Sequence, residues 1–468
     1  MLSVVNAPFF PFAIFATFAF NTDPLLSPAF PSASSVALRV ERLPLLLFSS
    51  ATAPFAAPPA PLPILLAMLR AGHFIAIGVI ALLTIGVVMV NSAGMAVAPI
   101  GSDGSTTQGV TAESILLSRS TIYMLLALAA LLGGAIVPVR ALAERLGRPP
   151  TGLASGGSAR ADALTLGVGC VVLVGIMSLV YMPGIGKTVN GANRWIAVPG
   201  AGFSFQPSEI AKWGMCLLVA WYGARRGSAL ASLFTGLLPA LIGVGAVAGF
   251  IILEDLGTGV LVGSVACLVL IAAGARFWHF AMMVPVAALG LITAIVTSPY
   301  RVKRIMTFLN PYEEPQGAGY HMIQSMAAVA GGGGFGRGLG HGLQKFGYLP
   351  EDQTDFLFAI ICEELGIAGA GVVIGLFAAL IWSGMLIATR EREPMLKLLA
   401  LSVTATLGLQ ALINLAVVTG LGPTKGIALP LVSSGGTGWI LTAFSLGLLI
   451  SIDRGHAEPA TRAEPALA

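Results

Sequence analysis

The sequence predicts an all-α polytopic membrane protein with about ten transmembrane helices. Two features of its composition support this fold class: 56% of the 468 residues are hydrophobic and only 10% are charged. The mean hydropathy is +0.89. A water-soluble globular protein is not expected, because such proteins carry about a quarter charged residues. A third observation is the series of apolar runs, each long enough to span a bilayer, between residues 73 and 452.

The first 67 residues differ from the rest of the chain. They are rich in Pro, Ala, Phe and Ser, and their prolines are too frequent for a helix that crosses a membrane. We predict a disordered extension at residues 1–67, a transmembrane domain at 68–453 and a short tail at 454–468. Met68 stands just before the first span and is an alternative start of the chain. A signal peptide is not expected, because a charged n-region is missing.

The apolar runs and the basic residues between them predict a topology. The runs lie at residues 73–95, 120–139, 163–182, 208–224, 229–252, 258–275, 277–298, 356–388, 397–420 and 437–452. Arginines such as Arg140, Arg145 and Arg225 occupy short connections that all fall on one side, which the positive-inside rule makes cytoplasmic. Both ends of the domain are then cytoplasmic. The outer side receives residues 183–207, 254–258 and 421–436, and a large loop at 299–355 between spans seven and eight.

Charge and cysteine usage exclude several functions. The net charge of +4 is too small to indicate nucleic-acid binding. The four cysteines lie inside apolar runs, where a buried thiol is the ordinary outcome. The five histidines show no metal-ligand spacing, and we assign no metal site.

Asp355 stands where a polar, glycine-rich segment meets the apolar run that starts at Phe356. Partial desolvation disfavours the charged form of a carboxyl group and raises its pKa, as a proton acceptor working near neutral pH requires. The alternative is that Asp355 caps the helix that follows. Both interpretations can hold together.

Two further charged pairs mark the outer edges of spans. Glu209 and Lys212 are three residues apart on one face of the fourth span, and they either seat the helix end or line a polar cavity. Glu254 and Asp255 interrupt an apolar stretch, either as a solvated turn or as a functional site.

Basic residues and glycines in the outer loops also have two interpretations. The basic residues, among them Arg194, Lys345 and Lys425, either contact water and lipid headgroups or bind an anionic substrate such as a pyrophosphate. The glycine run 331–336 satisfies the GxGxxG pattern, yet no strand precedes it, so we reject a dinucleotide site. Close backbone packing or a re-entrant turn is expected there instead.

Five strings in order between the spans carry a family resemblance: NGANRWI with QPSEIAK, DLGTG, GYHMIQS, GRGLGHGLQKFGYLPEDQTDFLFAIICEELG and GPTKGIALPLVSSGG. Together they resemble the SEDS (shape, elongation, division and sporulation) family over residues 75–453. The segments GVVMVNSAG, NPY and PTKG resemble the division members more than the elongation members. The chain departs from the family pattern at Glu254, where Pro is usual, and at Ser434, where Tyr is usual.

The resemblance implies a peptidoglycan glycosyltransferase that polymerises lipid II, the undecaprenyl-pyrophosphate-linked disaccharide pentapeptide, with inversion. It implies that Asp355 is the catalytic base. It also implies a set of residues that line the cavity or bind substrate: Glu209, Lys212, Asp255, Arg194, Gln206, Ser208, Gln324, Ser325, Lys345, Lys425 and Ser433.

The same resemblance implies a multi-pass protein of the bacterial cytoplasmic membrane at the division septum. Its expected partners are lipid II, the lipid bilayer, a class B penicillin-binding transpeptidase and other division proteins, with no nucleic acid. No cofactor is assigned, although a divalent cation such as Mg²⁺ is compatible with the chemistry. Three alternatives stay open at this point: a lipid II flippase or transporter, a non-catalytic scaffold of the division machinery, and an elongation polymerase.

Overall fold

A computed structural model of the protein describes residues 70–94, 115–116, 118–147, 155–189, 192–197, 204–424, 426–434 and 436–455. The predicted extension at residues 1–67 and most of the tail at 454–468 lie outside the described residues. Both therefore stay predictions.

The described chain is mostly α-helical. Its helices are α1 Ala71–Ala93, α2 Arg119–Ile136, α3 Val139–Gly147, α4 Ser155–Ser178, α5 Pro207–Arg226, α6 Leu238–Glu254, α7 Leu256–Ala272, α8 Phe277–Val296, α9 Pro299–Leu309, α10 Tyr320–Gly331, α11 Leu357–Arg390, α12 Pro394–Val418 and α13 Thr437–Gly455. Three of them begin with proline at the first helical position, where the missing N–H has no intrahelical partner in any case. α13 packs along α2, and α11 packs against both α1 and α12.

Each predicted span falls on one of these helices, which confirms a polytopic membrane fold. Seven helical stretches of the described chain are long and apolar enough to cross a membrane. They are Ala71–Ala93, Arg119–Ile136, Ser158–Tyr181, Leu233–Glu254, Phe277–Val296, Leu357–Arg390 and Pro394–Val418. α7 is apolar but shorter, and α5 carries four charged residues. The number of crossings therefore stays a prediction.

Two segments between the predicted spans contain regular secondary structure. The predicted loop 299–355 contains α9 and α10. The segment 183–207 forms a three-stranded antiparallel sheet in the order β1 Gly186–Val189, β2 Ala192–Ala197 and β3 Ser204–Phe205. This sheet was not predicted and is an addition to the predicted helical fold. An Asn-Gly dipeptide, typical of hairpin turns, joins β1 and β2 in the sequence and was the available signal.

The glycine run 331–336 packs its backbone against a break in α11. Gly366 interrupts α11 with φ 66° and ψ −163°. The amides of Ile367 and Ala368 donate to the carbonyls of Gly333 and Gly334 at 3.0 and 3.1 Å. Backbone groups released by a break near hydrocarbon need partners within the protein, and the glycine run supplies them. The expectation of close backbone packing is confirmed.

Two buried carboxylates hold the next part of this loop. Glu363 accepts from the amides of Leu343 and Gln344 at 2.9 and 3.1 Å. Glu364 accepts from the amide of Gly340 at 2.9 Å. The loop is therefore fixed to α11 by charge-assisted hydrogen bonds, which are the stronger kind.

Gly366→Ala is expected to destabilise the protein by about 2 kcal/mol or more, because an alanine cannot take this backbone conformation without strain. Its Cβ would also collide with the backbone of Gly334 and Gly336. The measurement is the thermal unfolding temperature in detergent. Gly371→Ala is the matched control, since it lies in the same helix with open space around its Cα, and it should leave that temperature unchanged or raise it. Equal temperatures for the two variants would contradict the role of the break.

Candidate active site

Asp355 lies just before α11, at the end of the segment 299–355. The N-cap residue of α11 is Phe356, and it makes no side-chain capping hydrogen bond. Within the described chain the Asp355 carboxylate accepts no hydrogen bond and forms no ion pair, so it does not cap the helix. The carboxylate is half-buried and chemically available.

The backbone of Asp355 is held by a buried amide on α12. The Nδ2 atom of Asn414 donates to the carbonyl of Asp355 at 2.8 Å and to that of Ile427 at 2.7 Å. Asn414 is 1% exposed. One side chain thus ties the start of α11 to the loop before α13.

That loop approaches the Asp355 carboxylate closely. A Cβ added at Gly426 would lie 2.6 Å from Oδ2 of Asp355, so only glycine leaves room for it. The amide of Ser434 donates to the carbonyl of Gln353 at 2.9 Å. The loop and the Asp355 segment therefore form one unit.

Burial and neighbouring charges set the protonation of Asp355. Burial raises its pKa to about 7, with help from the negative charges of Glu351 and Asp255. The positive charges of Arg194 and Arg304 act in the opposite direction. Burial likewise raises the pKa of Asp352 to about 6. A carboxyl with a pKa near 7 exchanges a proton readily at neutral pH.

Asp255 occupies the sharp turn between α6 and α7. Its Oδ1 atom accepts from the amides of Gly257 and Thr258 at 3.0 and 3.1 Å, which makes it the N-cap of α7. It is 8% exposed, so the turn is not simply solvated. Its Oδ2 atom lies 4.0 Å from Arg194.

The sheet brings Arg194 to this turn. The Nε and NH2 atoms of Arg194 donate to the carbonyl of Glu254 at 3.0 and 2.6 Å. The Glu254 carboxylate accepts from the Tyr181 hydroxyl at 2.8 Å and from the Asn193 amide at 2.9 Å. Glu254, at the position where Pro is usual, thus anchors β2 to the α6–α7 turn.

Glu209 and Lys212 form a pair at the start of α5. The Lys212 ammonium lies 2.7 Å from Oε2 of Glu209 and donates to Oε1 of Gln410 on α12 at 2.9 Å. Gln410 in turn donates to the carbonyl of Ala428 at 3.0 Å. Lys212 is only 1% exposed. This geometry agrees with a pair that seats α5 against α12 and the loop near Asp355.

Lys345 is a correction to the expected set of substrate-binding cations. Its ammonium lies 2.7 Å from Oε1 of Glu364, and both side chains are 0% exposed. It also donates to the Ser92 hydroxyl at 3.2 Å. Burial in this pair removes the charge from the reach of a substrate, and Lys345 joins the outer segment to α1 and α11.

Most of the remaining residues predicted to line the site form hydrogen bonds within the protein. Gln206 is the N-cap residue of α5, and its amide donates to the hydroxyl of Ser208 at 2.9 Å. Ser325 donates to the carbonyl of Val418 at 2.8 Å, and Ser433 accepts from the amide of Leu429 at 3.0 Å. Gln324 is half-buried on α10. Lys425 lies outside the described residues.

Asn414 and Gln410 were not expected from the sequence, whereas Arg304 is one of the loop basic residues that had two open interpretations. Arg304 donates to the carbonyl of Thr424 at 2.8 Å and packs over the Tyr300 ring at 4.6 Å. An amide inside an apolar span was the available signal for Asn414 and Gln410, because a polar group there needs a partner.

Lys212→Met is expected to destabilise the protein by about 3 to 5 kcal/mol, because it leaves the Glu209 carboxylate without its partner. The measurement is the thermal unfolding temperature in detergent. The double variant Glu209→Gln/Lys212→Met removes both charges and should recover part of the loss. A wild-type unfolding temperature for Lys212→Met alone would show that the pair is not structural.

Known proteins are similar to this chain in sequence and in fold. A family model described as cell cycle protein matches residues 161–458. Stage V sporulation protein E of Bacillus subtilis is 42% identical over 288 residues, which is 61% of this chain and 77% of that protein. The probable peptidoglycan glycosyltransferase FtsW of Thioalkalivibrio sulfidiphilus is 37% identical over 387 residues, which is 82% of this chain and 89% of that protein.

A solved structure shows the same fold. A chain of a peptidoglycan synthase complex that coordinates polymerization and crosslinking aligns with a TM-score of 0.61 at 24% identity. The alignment covers 82% of this chain and 98% of the other. Sequence and fold together establish that this multi-pass membrane protein belongs to the cell cycle protein family of FtsW, RodA and SpoVE.

Proposed function

We propose that the protein is a peptidoglycan glycosyltransferase that polymerises lipid II, with Asp355 as the general base. The observation that carries the proposal is the Asp355 carboxylate, which has no hydrogen-bond partner in the described chain and a pKa of about 7, on a backbone whose carbonyl is held by Asn414. Relatives named as probable peptidoglycan glycosyltransferases support this chemistry.

The proposed reaction uses these groups in the following way. The 4-hydroxyl oxygen of one lipid-linked GlcNAc attacks the anomeric carbon of the MurNAc of the growing chain. Asp355 takes the hydroxyl proton as the new C–O bond forms. The bond from the anomeric carbon to the diphosphate oxygen breaks, and undecaprenyl diphosphate leaves with the electron pair. Cations near the site stabilise that leaving group, for which Arg194 and Arg304 are suited by charge.

No cofactor is assigned, and we propose only that a divalent cation such as Mg²⁺ is compatible with the reaction. The described residues contain no group of three or more His, Cys, Asp or Glu side chains arranged to hold a metal ion. A divalent cation such as Mg²⁺ would find its preferred oxygen ligands on the substrate diphosphate.

The cellular setting is also part of the proposal. We infer that the protein acts at the division septum with both ends of its transmembrane domain in the cytoplasm. Its proposed partner is a class B penicillin-binding transpeptidase, and the solved synthase complex with the same fold supports such an assembly. Other division proteins would regulate the pair.

Asp355→Asn is expected to abolish glycan polymerisation from purified lipid II, by about 100-fold or more, because the hydroxyl proton loses its acceptor. The wild type and the variant are compared in proteoliposomes with the transpeptidase partner, and the unfolding temperature confirms that the variant is folded. Polymer formation at the wild-type rate by the variant would refute the assignment of the base. Absence of polymer from both, with lipid II transport intact, would favour a flippase.

Polymerisation is expected to rise with pH and to reach half its maximum near pH 7, because only ionised Asp355 accepts a proton. Glu351→Gln should move this midpoint to lower pH, since the negative charge of Glu351 raises the pKa of Asp355. Glu314→Gln is the matched control, because Glu314 is exposed and pairs with Lys303 instead. The measurement is the initial rate between pH 5 and 9; a profile unaffected by Glu351→Gln would contradict the electrostatic account.

A further inference from the structure

A cavity of about 650 Å³ opens beside the segment that leads to Asp355. Its walls come from the C-terminal end of α1, the N-terminal end of α2, the sheet, and the loops that carry Gln353 and Ser434. Its described lining includes neither Asp355 nor Asp255. The volume suits a small-molecule site, for which several hundred Å³ is usual.

The cavity is positively charged. Arg119 of α2 and Lys187 of β1 both line it, and no Asp or Glu is present among its described lining residues. Neither cation forms an ion pair with another described residue. Two cations in a concave site whose described lining holds no carboxylate attract an anion.

The floor of the cavity offers ordered hydrogen-bonding groups. The Nδ2 atom of Asn91 donates to the Ser120 hydroxyl at 2.9 Å and to the carbonyl of Val87 at 2.7 Å. Oγ of Ser118 lies 2.8 Å from Oγ of Ser120. Fixed hydroxyls beside an arginine and a lysine suit phosphate oxygens, which accept several hydrogen bonds at once.

The hairpin contributes basic residues both to this cavity and to the Asp255 turn. Lys187 is paired with Trp195 across the two strands. A register shift between Lys187 and Thr188 leaves Arg194 without a cross-strand partner, as in a β-bulge. Its guanidinium contacts the α6–α7 turn, whereas Lys187 lines the cavity. The hairpin thus places one cation at the turn and one at the cavity.

We propose that this cavity binds the diphosphate of one of the two lipid-linked saccharides that polymerisation joins, with Arg119 and Lys187 contacting its phosphate oxygens. The inference rests on the proposed function, which requires two diphosphates at the site for every bond formed. Gln353 lines the cavity two residues before Asp355, which brings this diphosphate and the reacting sugar to the same part of the protein. A phospholipid headgroup offers similar phosphate chemistry, and the test separates the two sources.

The first experiment measures binding without catalysis. Asp355→Asn protein in phosphatidylcholine nanodiscs is titrated with undecaprenyl diphosphate, with and without Arg119→Gln/Lys187→Gln. The double variant is expected to raise the dissociation constant at least about tenfold, the loss typical of charge-assisted hydrogen bonds. Lys303→Gln is the matched control, because Lys303 is exposed and pairs with Glu314 at 2.7 Å, and it should bind like the parent. Arg119→Lys/Lys187→Arg keeps both charges and should retain most of the affinity.

Equal binding by the double variant and the control would overturn the inference. A loss of binding that the charge-conserving variant shares, together with a lower unfolding temperature, would indicate a structural role and overturn it as well. Titration with phosphatidylglycerol distinguishes the sources: if it displaces undecaprenyl diphosphate at comparable concentration, the cavity is a headgroup site and the inference is wrong.

The second experiment measures turnover in protein with Asp355 intact. The double variant is expected to raise KM for lipid II about tenfold while kcat stays within about twofold, because the cavity binds substrate and does not transfer the proton. If the wild type binds undecaprenyl diphosphate through these residues yet forms no polymer, the proposed function fails and the diphosphate site stands. If the wild type polymerises and the double variant keeps its KM, the site fails and the function stands.

Discussion

Polar groups close to hydrocarbon must find their partners inside the protein, and the irregular segments of this molecule depend on that constraint. The break in α11 at Gly366 is tolerated because the glycine run bonds to the released backbone groups. The α6–α7 turn is tolerated because Asp255 caps α7 and Arg194 donates a hydrogen bond to the Glu254 carbonyl. At both positions, side chains or neighbouring loops supply hydrogen bonds to the irregular backbone.

The same constraint gives Asp355 its character. Elsewhere in the described chain the charged side chains Lys212 and Lys345 are buried in pairs with Glu209 and Glu364. The carboxylate of Asp355 has no such partner in the described chain, while its backbone carbonyl is fixed by Asn414. A desolvated carboxylate near two other acids holds its proton more tightly, which raises its pKa to about 7. The surroundings therefore fix the backbone of Asp355 and leave its carboxylate available to accept a proton.

Burial also divides the basic residues into two classes. Lys345 and Lys212 are charges that hold elements together, since their ammonium groups face carboxylates away from water. Arg119 and Lys187 are open to a cavity and unpaired among the described residues. A negatively charged substrate is expected to interact with the second class, so exposure and pairing matter more than the number of basic residues in the connecting segments.

The sequence predicts the helices well because the thickness of the hydrocarbon layer sets how many consecutive apolar residues a membrane-spanning helix needs. It also predicts Asp355, Asp255 and the Glu209–Lys212 pair, since charges at span edges are conspicuous in an apolar chain. It does not predict that Lys345 is buried, because its partner Glu364 is 19 residues away and the contact depends on the loop between them. The sheet at 186–205 and the roles of Asn414 and Gln410 likewise depend on contacts between distant segments that no local pattern shows.

The central physical claim is the protonation state of Asp355, and infrared difference spectroscopy tests it most directly. The carbonyl stretch of the protonated carboxyl group is followed against pH in wild-type protein, and the spectrum of Asp355→Asn identifies the band that belongs to this residue. One band is expected to disappear with a midpoint near pH 7 in the wild type and to be missing in the variant. A midpoint near the ordinary aspartate value of about 4 would show that Asp355 is well solvated, and the account of the site would be wrong.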